Sequence, residues 1–106
     1  MTQSLTVVEH LRFDSDAMAR LCRRNRIHRL ALFGSRLKGT ARSESDIDLL
    51  VEFEPGREPR LIGMSGMEIE LSGLFGGGKV DLRTAEDLSP HFRDEVLRAA
   101  QVVYAA

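Results

Sequence analysis

The alternation of apolar and polar residues divides the chain into helical and strand-like segments. An apolar stripe at helical spacing runs through a group of arginines near the N-terminus, and Asp14 or Ser15 can cap it. These features predict an amphipathic helix to about Asn25. The stripe consists of Met18, Leu21 and Cys22. Cys22 has no second cysteine to pair with and is interpreted as a small core residue.

Two further helices are predicted downstream. The first runs from Leu61 to about Phe75, where the glycines at 76–78 end it, and the second spans "LSPHFRDEVLRAAQVVYAA", with Ser89 at the cap and Pro90 in its first turn. Both predictions rest on apolar stripes, which comprise Met64, Met67, Leu71, Leu74 and Phe75 in the first helix and Phe92, Val96, Ala100 and Val103 in the second.

Three segments have the pattern of strands. Residues 27–33 become fully apolar at "LALF" before Gly34, which predicts a strand buried on both faces. Residues 46–53 alternate, with Ile47, Leu49, Val51 and Phe53 on one face. "KVDLRT" predicts a short third strand. We therefore expect an α/β fold with a small mixed sheet of three or four strands and covering helices.

Composition narrows the possible functions. The 106 residues, 42% of them hydrophobic, are enough for one core, so residues 1–106 are predicted to form a single domain. Fifteen basic residues nearly balance sixteen acidic ones, which leaves no global field for binding nucleic acid directly. No apolar run approaches the roughly 20 residues that span a bilayer, and no signal peptide is visible. We expect a cytoplasmic protein that does not enter membranes.

Two carboxylates interrupt the central strand. Asp46 and Asp48 project from the same side of residues 46–53, with their roots about 7 Å apart. Two anions on a largely buried strand repel each other and are costly to desolvate, and a divalent cation removes both costs. Carboxylates are ligands that Mg²⁺ prefers, and Mg²⁺ completes its shell with water and substrate phosphates. The D-x-D segment is therefore a candidate half-site for a metal-bound nucleotide.

A Gly-Ser pair precedes these acids at the end of the preceding strand. Gly34 lets a phosphate approach the backbone, and the Ser35 hydroxyl can donate to phosphate oxygens. An isolated Gly-Ser is nearly uninformative, and an isolated D-x-D is usually a solvated strand end. The ordered combination, with an apolar strand before each part, favours a triphosphate site. Asp81, within "VDL", fits as a third acid, although an exposed-edge position is the alternative.

The segment "FGSRLKGTARSESDIDLLV", followed by "VDL", resembles the G-S-x10-D-x-D motif of the DNA polymerase beta superfamily, in particular its minimal nucleotidyltransferase (MNT) branch. The resemblance covers residues 26–104. It implies a polymerase beta-like nucleotidyltransferase fold and transfer of AMP from ATP with two Mg²⁺ ions. It also implies that Gly34 and Ser35 bind phosphates, with Arg36 as a further candidate, and that Asp46, Asp48 and Asp81 hold the metals. Asp81 would in addition help to activate the acceptor hydroxyl.

Members of this branch are often antitoxins that pair with HEPN-domain ribonucleases, and several add AMP to a tyrosine of that toxin. Because the catalytic core takes up nearly the whole sequence, we expect another molecule to complete the acceptor site. Two alternatives stay open: a binding module that neutralises its partner sterically, and an aminoglycoside-type transferase acting on a small molecule. Five arginines at positions 20, 23, 24, 26 and 29 form either a solvated surface or a docking surface for an acidic partner.

Overall fold

The computed structural model describes residues 5–8, 11–34 and 47–106. Two strands, β1 (Leu5–Val8) and β2 (Leu11–Asp14), pair antiparallel, with Val8 opposite Leu11. The pattern of apolar and polar residues does not predict this pair. The sequence pattern of the pair is weak because each strand has only four residues. Leu11 and Phe13 of β2 do alternate with polar neighbours, and both are buried.

Helix α1 (Ser15–Arg24) begins directly after β2. The Asp14 carboxylate caps it by accepting from the backbone N–H of Asp16 at 2.9 Å and of Ala17 at 3.3 Å. The apolar stripe of the helix is buried, and Cys22 is fully enclosed. The predicted helix is therefore confirmed, with its end one residue before Asn25.

A four-stranded mixed sheet forms the centre of the fold. Its strand order is β5-β4-β3-β6, with β3 at Ile27–Phe33, β4 at Ile47–Phe53, β5 at Val80–Arg83 and β6 at Gln101–Ala105. Strand β3 is antiparallel to both β4 and β6, whereas β4 and β5 are parallel. The expected small mixed sheet is confirmed, at four strands.

Helix α2 (Leu61–Leu74) connects the two parallel strands. Its buried residues Met67 and Leu71 join the core, and Met64, Leu74 and Phe75 pack against it. The Phe75 ring meets Phe13 edge to face, with 5.5 Å between ring centroids, which fastens β2 to the end of α2. The Leu61 to Phe75 prediction is thus confirmed to within one residue.

The C-terminal prediction was partly wrong. Helix α3 (Pro90–Ala99) begins after Ser89 as predicted, but Ala100 is extended and the residues that follow form β6 instead of further helical turns. Val102, Val103 and Tyr104 favour strands, and β3 offers an edge whose backbone groups require partners. Val103 therefore reaches the core from a strand, while Phe92 remains 61% exposed.

Each face of the sheet has a different cover. Leu30, Leu32, Leu49 and Val51 point into the core together with α1 and α2. The opposite face, called here the second face, carries Asp48, Leu50 and Glu52 on β4, and α3 and a short 3-10 helix (Ala85–Asp87) lie beside it. No helix within the described ranges is long and apolar enough to cross a membrane.

Candidate active site

Gly34 directly follows strand β3 and has a backbone conformation that is unfavourable for residues with a side chain. Its φ is +86°, in the left-handed region, and a Cβ built on it would collide with the carboxylate of Asp48 and lie 3.2 Å from the Asp48 Cβ. The absence of a side chain therefore has two consequences. It permits the turn that leaves β3, and it allows the Asp48 carboxylate to lie against the backbone.

Asp48 is the second residue of β4 and is half-buried. It pairs with Phe33 on β3 on one side and with Asp81 on β5 on the other. Neighbouring strands are about 4.8 Å apart, so the carboxylates of Asp48 and Asp81 leave adjacent positions on the second face. The structure thus brings together two of the three predicted acids, 33 residues apart in sequence, beside Gly34.

Asp81 has a cationic neighbour that is not among the predicted site residues. The Arg83 guanidinium donates to Asp81 Oδ2 from Nη2 at 3.1 Å and from Nε at 3.4 Å. Both side chains are partly exposed, at 33% for Asp81 and 50% for Arg83. Residues two apart in a strand share a face, so this pair could have been found from the D-x-R spacing in "VDLR".

Several contacts fix the relative positions of β4 and β5 at this end of the sheet. The Ile47 N–H donates to the Lys79 carbonyl at 2.7 Å, and a Cβ on Gly78 would lie only 3.1 Å from Ile47 Cδ1. On the outer edge of β5, the Leu82 N–H donates to Glu68 Oε2 of α2 at 2.8 Å. These contacts hold Asp81 level with Asp48.

The remaining predicted site residues are Ser35, Arg36 and Asp46, and all three lie outside the described residues. Among the residues that the structure does describe, no group of three or more histidine, cysteine, aspartate or glutamate side chains forms a metal site. The described residues include two of the three predicted metal ligands, Asp48 and Asp81. Their all-oxygen donor chemistry fits Mg²⁺.

Two titratable groups away from this site have clear structural roles. Burial raises the pKa of the Cys22 thiol to about 12, which keeps it protonated and unreactive. Hydrogen bonds from the Thr84 backbone N–H and hydroxyl lower the pKa of Asp87, which caps the short 3-10 helix after β5. These groups are interpreted as structural.

The five arginines at 20–29 are all exposed or partly exposed. One of them, Arg24, forms an ion pair with Glu70 and so links α1 to α2. A surface pair of this kind contributes at most about 1 kcal/mol. A docking surface formed by the other four arginines stays a prediction.

The fold and this arrangement of residues define a nucleotidyltransferase-type domain. The family model described as polymerase beta nucleotidyltransferase matches residues 17–106. The chain belongs to this family, which confirms the resemblance drawn from the Gly-Ser and D-x-D segments.

Individual relatives agree with this assignment. The chain is 36% identical over 78 residues to the protein adenylyltransferase MntA of Thermococcus cleftensis, with 74% of each chain covered. A protein of Methanocaldococcus jannaschii is 32% identical over 74 residues, which is 70% of this chain and 76% of the relative. Among solved structures, one described as a minimal nucleotidyltransferase is 41% identical and superimposes with a TM-score of 0.65, covering 81% of this chain and 85% of its own.

Two more distant structural neighbours are similar in fold. A toxin-antitoxin complex crystallised with AMP-PNP contains a chain with a TM-score of 0.66 at 22% identity, covering 87% of this chain and 73% of that one. A complex of the tri-AMPylated HEPN toxin of Shewanella oneidensis with its MNT antitoxin gives a TM-score of 0.59 at 20% identity, covering 87% and 70%.

Proposed function

We propose that this protein is an antitoxin that transfers AMP from ATP to a tyrosine hydroxyl of a partner HEPN-domain ribonuclease. The observation that carries the proposal is the cross-strand pairing of Asp48 with Asp81 directly beside Gly34. Family membership and the naming of an MntA relative as a protein adenylyltransferase support the type of reaction. The HEPN complexes of the structural neighbours support the class of partner.

Each residue has a proposed role in the transfer. Gly34 and Ser35 bind the β- and γ-phosphates with Arg36 as an additional contact, and Asp46, Asp48 and Asp81 hold two Mg²⁺ ions. The bound ions would supply the positive charge that offsets the developing charge on the phosphates. Asp81 also orients the acceptor hydroxyl and favours loss of its proton.

The reaction balances with ATP and the partner alone. A bond forms between the tyrosine oxygen and the α-phosphorus, and the bond from that phosphorus to the oxygen bridging to the β-phosphate breaks. Pyrophosphate leaves with the electron pair, and the hydroxyl proton is released to solvent or to a carboxylate. No oxidant or further co-reactant is required.

A thermal-shift measurement combined with growth rescue tests the proposal. Mg-ATP should raise the melting temperature of the wild type, because a ligand that binds only the folded state stabilises it. Asp48→Asn should remove the shift and the rescue of cells that express the partner ribonuclease. The matched control is Asp94→Asn, an exposed aspartate on α3, which should keep both. Full rescue by Asp48→Asn would instead indicate steric neutralisation.

A further inference from the structure

The four-stranded sheet has two edges, and they differ in how their backbone groups are used. At the β5 edge, the Leu82 N–H donates to the Glu68 carboxylate of α2, which occupies a group that another strand would need. At the opposite edge, β6 pairs with β3 on its inner side, and no strand within the described ranges pairs with its outer side. The outer edge of β6 therefore presents backbone donors and acceptors to solvent.

The register identifies one residue whose backbone groups point outward. The Ala106 N–H donates to the His28 carbonyl at 2.9 Å, so the backbone of Ala106 faces inward, toward β3. Hydrogen-bonded and non-hydrogen-bonded positions alternate along an antiparallel pair of strands. Ala105, which lies opposite Arg29 and is exposed, therefore directs its N–H and its carbonyl to the outer side.

Strand β6 has no charged or proline residue that would keep its edge from pairing. Charged side chains, especially lysine, and proline are common means of protecting an exposed edge. The strand reads "QVVYA", and its Val102 is 43% exposed. A register shift on β3 between Leu30 and Ala31 leaves the end at residues 104–106 regular. This end of β6 can therefore accept a further strand.

Two arginines without ion pairs lie beside the same end of β6. An open cavity of about 740 Å³ is bordered by Tyr104 and Ala105 of β6 and by Arg23 and Arg26 at the end of α1. Within the part of the chain that the structure describes, neither arginine forms a salt bridge. Glu54 is the one acidic residue of the lining, so the cavity has an excess of positive charge.

The arginines of α1 point in different directions. Arg24 forms an ion pair with Glu70 and so faces α2. Arg23 is rotated from Arg24 by about 100° around the helix axis. It lies one turn after Ala19, which also borders the cavity, so this side of α1 faces β6. Arg20 is exposed and does not belong to the cavity lining.

Arg26 has a backbone conformation that favours glycine. Its φ is +59°, in the left-handed region that glycine or asparagine commonly adopts after a helix. Its N–H donates to the Arg23 carbonyl and its own carbonyl accepts from the Glu54 N–H, and glycine would form both bonds equally well. Unfavourable backbone conformations of this kind are concentrated at functional sites. The Arg26 side chain, which borders the cavity, is therefore a candidate for binding.

We propose that the outer edge of β6, together with Arg23 and Arg26, binds an extended acidic segment of another protein. The segment adds a strand beside β6 through backbone hydrogen bonds, and its carboxylates pair with the two guanidinium groups. A second copy of this chain paired through β6 would bring an uncharged strand to the arginines, whereas an acidic segment complements them.

The proposed docking edge is separate from the candidate active site. Ala105 is opposite Arg29, five residues before Gly34 along β3 and the residue that follows it. This separation corresponds to roughly 16 Å along an extended chain. The inference therefore does not depend on the proposed transfer of AMP.

Chemical-shift mapping on the ¹⁵N-labelled full chain tests the proposal with two peptides. The acidic probe is acetyl-Glu-Val-Asp-Val-Glu-amide, and acetyl-Lys-Val-Lys-Val-Lys-amide is the control with the same alternation. The acidic peptide should shift the amides of residues 102–105 and the Nε signals of Arg23 and Arg26. It should also slow hydrogen exchange at the Ala105 amide, which gains a partner. The basic peptide should do neither, and the Gly34 amide should not respond to either peptide.

Three variants separate the role of the arginines from general charge and from folding. Arg23→Glu should weaken binding of the acidic peptide at least about tenfold, because a charge-assisted hydrogen bond is lost. Arg20→Glu makes the same charge change outside the cavity lining and should alter the affinity less than about twofold at 0.15 M salt. Arg26→Gly should raise the melting temperature, because relief of the left-handed conformation outweighs the added freedom of the unfolded chain, and yet weaken peptide binding.

Three outcomes would overturn the proposal. If the acidic peptide at millimolar concentration shifts none of residues 102–105, β6 is not a docking edge. Equal binding of the two peptides, or unchanged binding by Arg23→Glu and Arg26→Gly, would exclude the acidic segment. If the signals of residues 102–105 change with the concentration of this chain alone and ultracentrifugation shows a dimer, the edge belongs to a second copy. Mg-ATP enters none of these measurements, so failure of the proposed function would leave this inference standing.

Discussion

Replacing Gly34 with alanine tests the geometry of the site most specifically. The added Cβ would be unfavourable for two separate reasons. A φ of +86° costs an L-residue about 1–2 kcal/mol. The new methyl would also occupy the space of the Asp48 carboxylate, which would have to leave its present position beside Gly34.

Gly76→Ala is a matched control for the first cost. Gly76 has a φ of +87°, and a Cβ built on it meets nothing within 4 Å. Alanine there should lower the free energy of unfolding by the same ~1–2 kcal/mol and leave Mg-ATP binding unchanged. For a domain of this size, each 1 kcal/mol corresponds to a fall of about 4–8 °C in melting temperature.

Gly34→Ala should show at least that loss of stability and, in addition, a loss of Mg-ATP binding. Urea unfolding gives the first quantity and isothermal titration with Mg-ATP gives the second. Because the side chains at 34 and 48 collide, adding Asp48→Ala to Gly34→Ala should destabilise less than the sum of the single changes, with a coupling of about 0.5–3 kcal/mol. Additive stabilities, or Mg-ATP binding equal to that of Gly76→Ala, would refute the close approach of Asp48 to Gly34.

Three further predictions concern Arg83, Cys22 and Asp87. Arg83→Met should lower the free energy of unfolding without ligand by no more than about 1 kcal/mol. It should nevertheless tighten Mg²⁺ binding, because Asp81 loses a competing cation. Competition with a fluorescent chelator measures that binding, and weaker binding by the variant would contradict this. Cys22 should react with iodoacetamide at pH 8 only after unfolding, since burial raises its pKa to about 12; rapid labelling of the native protein would exclude that burial. Asp87→Asn should lower the melting temperature at pH 7, because the lowered pKa of Asp87 in the folded state stabilises the protein only while the carboxylate is ionised. The difference in melting temperature between wild type and variant should therefore shrink as the pH falls below about 4, the ordinary aspartate pKa. A difference that does not change with pH would count against the Thr84 hydrogen bonds.

The sequence predicted the central elements because their patterns match their burial. Strand β4 places Ile47, Leu49, Val51 and Phe53 at every second position, so this alternation is sufficient to assign the face that carries Asp48. The Gly34 and Asp48 motif is local enough to be recognised from spacing alone. Ser35, Arg36 and Asp46 belong to the same motif, and their roles stay predictions.

What the sequence did not predict depends on contacts between distant segments. Strand β6 follows α3 with no glycine between them, so the helical stripe seemed to continue through Val103. The strand preference of Val102, Val103 and Tyr104 takes effect because β3 offers an edge with which these residues can pair. A cleft of about 310 Å³ on the second face likewise combines residues of β3, β4, α3 and the loops, whose proximity no single segment reveals.

Intact mass spectrometry of the partner ribonuclease tests the central claim most directly. After incubation with this protein, ATP and Mg²⁺, the partner should gain one or more AMP units, and EDTA should prevent the gain. Asp81→Asn should still bind Mg-ATP through Gly34, Ser35, Asp46 and Asp48 but transfer essentially none, because it lacks the carboxylate proposed to activate the acceptor. If the wild type leaves the mass of the partner unchanged while Asp81→Asn neutralises it equally well, neutralisation occurs by binding, and the assignment of transferase chemistry to this site is wrong.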